Sequence, residues 1–318
     1  MVQLGEAPAP WLVDDLLRIE QTLLARAGAS PHPLVSESAT HLIRAGGKRL
    51  RPALVLVSSR AGEAGRPETD LAAASIELVH LATLYHDDVI DETETRRGAP
   101  TVHSKWGIDI AVLSGDYLFA QACALGAEAG GDVPLVLARA VADVCEGQIV
   151  ETAALSDPRR DVNEYIDTIK HKTAALFRAA CEMGASTSGA PEGGRAALRT
   201  YGEELGIAFQ IVDDLLDLTG DPAVTGKIPG TDLKEGVFTL PVLIACERDP
   251  ALVAHLERGE HGLDLVRPIL EATGALEAAR DTAAHHAALA LEAAGATGSP
   301  EAEEALTTIV SGVLAQLT

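Results

Sequence analysis

Asp87, Asp88 and Asp91 lie just ahead of Arg96 and Arg97 in the segment LATLYHDDVIDETETRRGAPT. On a helix Asp87 and Asp91 share one face, about 6 Å apart along the axis. Two like charges that close repel unless a cation sits between them. Carboxylate oxygens at this spacing suit a hard ion such as Mg²⁺, which keeps several waters and usually also takes phosphate oxygens. The two guanidinium groups supply planar donors matched to phosphate. A single acidic DDxxD is most often a solvated face, but here the pattern recurs. Asp213, Asp214 and Asp217 repeat it within GIAFQIVDDLLDLTGD. This copy falls in an apolar helical run, where an unpaired carboxylate cluster is costly. Two such motifs facing each other would hold a cluster of metal ions.

Helices must position these groups. Of the 318 residues, 47% are hydrophobic and only 3% aromatic, with Ala and Leu dominant. That composition favours helix, and no alternation of strand type persists. Helical spacing predicts segments over about 10–27, Pro33–Arg44, a third from near Pro52, and Pro67–Ile90. Others follow over Ile108–Glu128, Val133–Ala154, Val162–Thr187, Gly194–Leu218 and Pro300–Leu317. Residues Thr225–Gly236 read as a glycine-rich loop with two lysines. Gly, Ser and Pro cluster only in short connectors, so the chain reads as one all-α domain over 1–318.

The formal charge of −22 argues against nucleic acid or an anionic membrane surface as partner. It makes the basic clusters informative: Arg44, Lys48, Arg49 and Arg51; Arg96 and Arg97; Lys170 and Lys172; Lys227 and Lys234. Positive charge kept locally against the global balance points to an anionic substrate. Cys123, Cys145, Cys181 and Cys246 form no CxxC pair and read as small apolar core residues in a reducing compartment. No secretory leader and no uncharged run of about 18 apolar residues is present, so neither a transmembrane segment nor export is expected, and the location expected is cytoplasmic.

Gly46-Gly47-Lys48-Arg49-Leu50-Arg51-Pro52 joins a flexible loop to a cationic helix start, where backbone N–H groups and side chains can meet an anion. Lys170-His171-Lys172-Thr173 adds cations and a hydroxyl, and Gln210 stands one turn before the second acidic motif. Each alone fits a solvated or structural role equally well. Together and in order, GGKRLRP, HDDVID, RRG, HKT, FQIVDD, GKIPGTDLKEG and TLPV resemble the trans-isoprenyl diphosphate synthases of the polyprenyl synthetase family over nearly the whole chain.

That resemblance implies the isoprenoid synthase fold, a single bundle of long helices around a deep central cavity, as a homodimer. It implies that Asp87, Asp88, Asp91, Asp213 and Asp217 hold Mg²⁺, three ions bound with substrate. Arg96, Lys172, Thr173, Gln210, Lys227 and Lys234 would contact the allylic diphosphate. Lys48, Arg51, His80 and Arg97 would bind the diphosphate of isopentenyl diphosphate, with Arg49 ranked below them. Asp87, Asp91, Lys172 and Asp213 carry the catalytic weight. His86 reads as structural or as a neighbour of the metal site.

In this family the side chains preceding the first acidic motif help set cavity depth. Here they are Val79, Ala82 and Thr83, none of them bulky. Tyr85 lies two residues before Asp87, about 160° around the helix, and should point elsewhere. The expected product is an all-trans polyprenyl diphosphate longer than C20, C30 to C45, of the quinone side-chain type. A geranylgeranyl or farnesyl diphosphate synthase, a class I terpene cyclase and a non-catalytic subunit of a heteromeric synthase are the alternatives. The second DDxxD and the complete GGKRLRP segment disfavour the last two.

Overall fold

A computed structural model describes residues 9–220 and 229–317. Ten helices carry the groups of interest: α1 (Pro10–Ala27), α2 (Pro33–Arg44), α3 (Leu50–Ser58), α4 (Pro67–Ile90), α5 (Val102–Trp106), α6 (Ile108–Ala129), α7 (Val133–Ala153), α8 (Val162–Ile169), α9 (Ala175–Thr187) and α10 (Glu192–Thr219). Shorter and longer helices complete the described chain, among them Thr231–Glu235, Leu240–Arg248 and Ala275–Gly295. Among the described residues, strand is confined to a hairpin of two-residue strands, Thr95–Arg96 against Ala99–Pro100.

The helix boundaries follow local chemistry. Proline opens α1, α2 and α4, where a missing N–H costs nothing. Helix α3 starts at Leu50, two residues before the expected Pro52, because proline is tolerated anywhere in a first turn. The predicted helix over Val162–Thr187 is instead interrupted: Lys170–Ala174 forms a π-turn between α8 and α9. Within the expected loop Thr225–Gly236, Thr231–Glu235 is a short helix, while 225–228 lie outside the described residues.

The described residues fall into two compact units. The first comprises residues 9–141, Arg178–Arg199 and Ala294–Leu306. Here α4 is apolar on nearly every side, with Ile76, Leu78, Val79, Leu81 and Ala82 fully buried. It packs along α6 and against α1 and α3. Leu12, Leu16, Ile19 and Leu23 of α1 form a stripe at helical spacing that closes this core. Gly115 lets α6 approach, since a Cβ there would lie 2.7 Å from His86 Cδ2. The second unit comprises Ala142–Phe177, Thr200–Ala293 and 307–317. Its core gathers Tyr165, Ile169, Tyr201, Leu205, Ile211, Val212 and Leu215 with Leu240 and Leu243.

Cys181 and Cys246 are buried as expected, but Cys123 and Cys145 are exposed, which corrects the reading of all four as core residues. They lie on the outward faces of α6 and α7, which composition cannot distinguish from inward ones. Among the described residues one helix, α6, is long and apolar enough to cross a membrane. It carries Asp109 and Asp116 and packs along α4.

Candidate active site

The first acidic motif ends α4. Asp91 is the C-cap residue, its N–H donating to the Asp87 carbonyl at 2.8 Å. Carboxylates at a helix C-terminus face the negative end of the helix dipole, and the last turn carries no basic residue. Asp87 is half-buried and Asp91 exposed, whereas Asp88 is 1% exposed. Asp88 accepts from Arg96 Nε at 2.5 Å on one oxygen, while its other oxygen is buried with no hydrogen-bond partner. Burial pushes the Asp88 carboxyl up, against the pull of Arg96. In this geometry Asp88 fastens the hairpin to the helix, and Asp87 and Asp91 are the carboxylates turned outward.

The hairpin places both arginines. Its two loop residues, Arg97 and Gly98, have φ of 54° and 74°, the pair of positive values that a type I′ turn requires. Arg97 thereby points its guanidinium at the loop after α2, donating to the carbonyl oxygens of Gly46 and Leu42. Gly47 makes this approach possible, because a Cβ there would stand 2.6 Å from Arg97 Nη1. Arg49, also left-handed at φ 50°, turns inward to Glu20 and Glu77 at 2.8 Å each. Burial works against its charge, but hydrogen bonds and attraction from the two glutamates raise its pKa. Arg49 is therefore committed to the core.

Arg51, His80 and Arg97 crowd together. Burial first, then the charges of Arg51, Arg97, Arg96 and Arg49, drive the His80 pKa well below its usual value, so the imidazole is neutral. Burial also lowers Arg51 to about 10, with Glu77 and Asp87 opposing and Arg97 reinforcing the shift. Arg97 is lowered for the same first reason. Guanidinium groups this closely gathered favour a dianionic guest. Lys48 is exposed at the rim of the same loop.

In the second unit, the second acidic motif ends α10, again with no basic residue in the last turn. Asp213 is half-buried. Asp214 is 3% exposed and accepts from the Tyr165 hydroxyl and from Gln210 Nε2 at 2.7 Å. Gln210 in turn accepts from Thr173 Oγ1 at 2.7 Å. Asp217 accepts from the backbone N–H groups of Thr231 and Asp232 at 3.2 and 3.3 Å, capping Thr231–Glu235, the helix that carries exposed Lys234. Lys227 lies outside the described residues.

Lys172 and Thr173 occupy the π-turn, a form that recurs at functional sites. Two glycines hold it from either side: a Cβ on Gly147 of α7 would lie 2.8 Å from Lys172 Cα, and one on Gly206 of α10 would lie 2.5 Å from Ala174 Cα. Lys172 pairs with Glu151, and Lys170 with Glu203 at 2.7 Å. Sequence reasoning missed Tyr165 and Glu151. The signal for Tyr165 was its place seven residues, two helical turns, ahead of Lys172.

Among the described residues no three His, Cys, Asp or Glu side chains converge to hold a metal on their own. The donor set still fits a magnesium-type ion, which commonly takes one or two carboxylates and completes its shell with water and substrate phosphate. At the end of α4, Asp87 and Asp91 without a cation in the last turn are the kind of arrangement such an ion would relieve. Of the chain-length positions, Val79 and Ala82 are fully buried and Thr83 half-buried, its hydroxyl donating to the His80 carbonyl at 2.8 Å. Tyr85 points away from this face, its hydroxyl donating to Ser38 O at 2.6 Å.

Comparison with known proteins follows the same lines. The family described as polyprenyl synthetase matches residues 32–272. The chain is 41% identical over 247 residues to heptaprenyl diphosphate synthase component 2 of Geobacillus stearothermophilus, covering 77% of each chain. Among solved structures it superposes on a decaprenyl diphosphate synthase from Rhodobacter capsulatus with a TM-score of 0.92, 38% identity and 98% of both chains covered. It also superposes on a polyprenyl synthase from Caulobacter crescentus complexed with calcium and isoprenyl diphosphate, with a TM-score of 0.91, 34% identity and 99% and 98% covered.

Proposed function

Because the chain belongs to the polyprenyl synthetase family and has its all-α isoprenoid synthase fold, we propose that it condenses isopentenyl diphosphate with an allylic diphosphate, giving an all-trans polyprenyl diphosphate longer than C20. The observation that carries this reading is the gathering of Arg51 and Arg97 around His80, within electrostatic reach of Asp87. One short stretch of structure thus offers a diphosphate site and a metal-type carboxylate.

In this reading Arg51, Arg97, His80 and Lys48 receive the diphosphate of isopentenyl diphosphate. Asp87, Asp91 and Asp213 hold Mg²⁺ brought in with the allylic diphosphate, and Asp88 and Asp217 support them from buried positions. The ions, three in the full set, would neutralise the leaving diphosphate. Lys172, Thr173, Gln210, Arg96, Lys227 and Lys234 orient that diphosphate and share its charge as the C–O bond breaks. Lys172 exchanges its partner Glu151 for the incoming anion. The double bond of isopentenyl diphosphate attacks the allylic carbon, and loss of a proton leaves a chain five carbons longer. The departing diphosphate takes that proton, so no side chain of these motifs is needed as base. Val79, Ala82 and Thr83 leave room for a growing chain, whose apolar surroundings keep water from the cationic carbon.

The active form proposed is a cytoplasmic homodimer in which residues 1–318 act as one functional domain. The outward face of α6, with Ile108, Val112 and Leu113 exposed, is the surface a second copy would cover. The name of the Geobacillus relative, a component 2, favours one variant of this reading, in which a second protein is required for activity.

The test is incorporation of labelled isopentenyl diphosphate onto farnesyl diphosphate by the purified chain alone. Incorporation with Mg²⁺ that a chelator abolishes is expected. A folded dimer that incorporates nothing from any primer would remove the reading for the chain alone and turn attention to the two-component variant.

A further inference from the structure

The middle carboxylate of the second acidic motif is held by two side-chain donors. Asp214 is sequestered, and each of its oxygens takes one donor: the Tyr165 hydroxyl from α8 on one, Gln210 Nε2 on the other. This fixes which way the Gln210 amide faces. With its nitrogen held by Asp214, its oxygen faces Thr173 and accepts the hydroxyl proton. Without the carboxylate the amide is free to turn, and the same position would offer Thr173 an N–H instead. Three segments are joined in this way: α8, the π-turn and α10.

We infer that Tyr165 and Asp214 are positioning residues, which through Gln210 set Thr173 and the π-turn so that Lys172 and Thr173 are presented to a diphosphate. The inference rests on the transferase reading above and names two residues that reading leaves without a role. Tyr165 is 3% exposed and its hydroxyl donates to Asp214, so it acts through that carboxylate. Burial, followed by the charges of Asp214, Glu151 and Asp232, pushes that hydroxyl far above its usual pKa and keeps it a donor. Its ring is held from the other side by Arg160, which lies 6.0 Å over it and donates to Thr168. The π-turn that receives this constraint has little other freedom, being pressed between Gly147 and Gly206.

Tyr165→Phe keeps the ring and removes one donor. Calorimetry with Mg²⁺ and inorganic diphosphate, together with steady-state kinetics, reads the result. The expected outcome is about tenfold weaker diphosphate binding and a comparable rise in KM for the allylic substrate, the scale of one buried hydrogen bond, with KM for isopentenyl diphosphate unchanged. Combining Tyr165→Phe with Thr173→Val should cost no more than Thr173→Val alone, whereas Thr173→Ser should stay near wild type. Equal losses for both substrates, no loss for either, or additive effects in the double variant would overturn the inference. Should Tyr165→Phe not fold, Asp214→Asn gives the same readouts. A wild-type chain that binds Mg²⁺-diphosphate but extends no primer would defeat the transferase reading while leaving the calorimetric arm to decide the relay. A chain that binds no diphosphate would overturn both.

Discussion

The two acidic motifs share a spelling and differ in how they are built. Each lies towards the C-terminal end of a long helix, and each buries its middle aspartate. Asp88 is held by a cation, Arg96, whereas Asp214 is held by neutral donors, Tyr165 and Gln210. The third aspartates diverge further. Asp91 is exposed at a helix C-cap, while Asp217 is 8% exposed and caps a following helix through two backbone N–H groups. The first motif thus offers two outward carboxylates and the second offers one, with the remaining members spent on holding neighbouring segments in place. Identical residue types at identical spacing do two kinds of work because the segments packed against them differ.

The largest effects should come from the outward carboxylates. Asp87→Asn and Asp213→Asn should each lower kcat by about 10²–10³-fold with little change in melting temperature, the scale of losing one preorganised electrostatic group. A marked loss of stability in either would place that residue with the buried class instead.

The buried middle position of the second motif should respond to pH. Burial pushes Asp214 up to about 7, with hydrogen bonds from Tyr165 and Gln210 opposing and the charges of Asp213 and Glu151 adding to it. The folded chain therefore binds this proton more tightly than the unfolded chain. The resulting penalty on the folded state is absent below about pH 4, grows as pH rises towards 7, and is constant above. Asp214→Asn removes it, so metal-free Asp214→Asn should gain stability over wild type from pH 4 to 7, by at most about 4 kcal/mol. Thermal melts whose difference does not change with pH would break this account of Asp214.

Smaller effects should sort the third positions. Asp217→Ala removes a cap and should cost about 1–2 kcal/mol. Asp91→Ala, at an exposed position, should stay within about 0.5 kcal/mol while still impairing catalysis. Denaturant melts of the metal-free proteins make the comparison, and equal costs would erase the distinction between the motifs.

Much of this was legible in the sequence. Apolar periodicity and prolines placed α1, α2 and α4 at their observed bounds, and the ordered motifs marked the polyprenyl synthetase family. What escaped was set by contacts between segments distant in sequence. Nothing local shows that Asp88 turns to Arg96 while Asp87 turns out, or that Asp217 meets Thr231 and Asp232. The π-turn at Lys170–Ala174 was hidden because its residues suit an α-helix; Gly147 and Gly206, which let other helices press against it, come from elsewhere in the chain. Arg97 read as a cation near the motif, and only the hairpin's left-handed turn directs it to Gly46 and the His80 cluster.

Elongation beyond C20 is attributed to the small side chains before Asp87, which leave the growing chain unblocked. Its most direct test is to size the dephosphorylated products made from labelled isopentenyl diphosphate and farnesyl diphosphate with Mg²⁺, for the wild-type chain beside Ala82→Phe. A ladder ending beyond C20 is expected for wild type and a shorter ladder for Ala82→Phe. A wild-type ladder that stops at C20, or a product distribution that Ala82→Phe leaves unchanged, would contradict it.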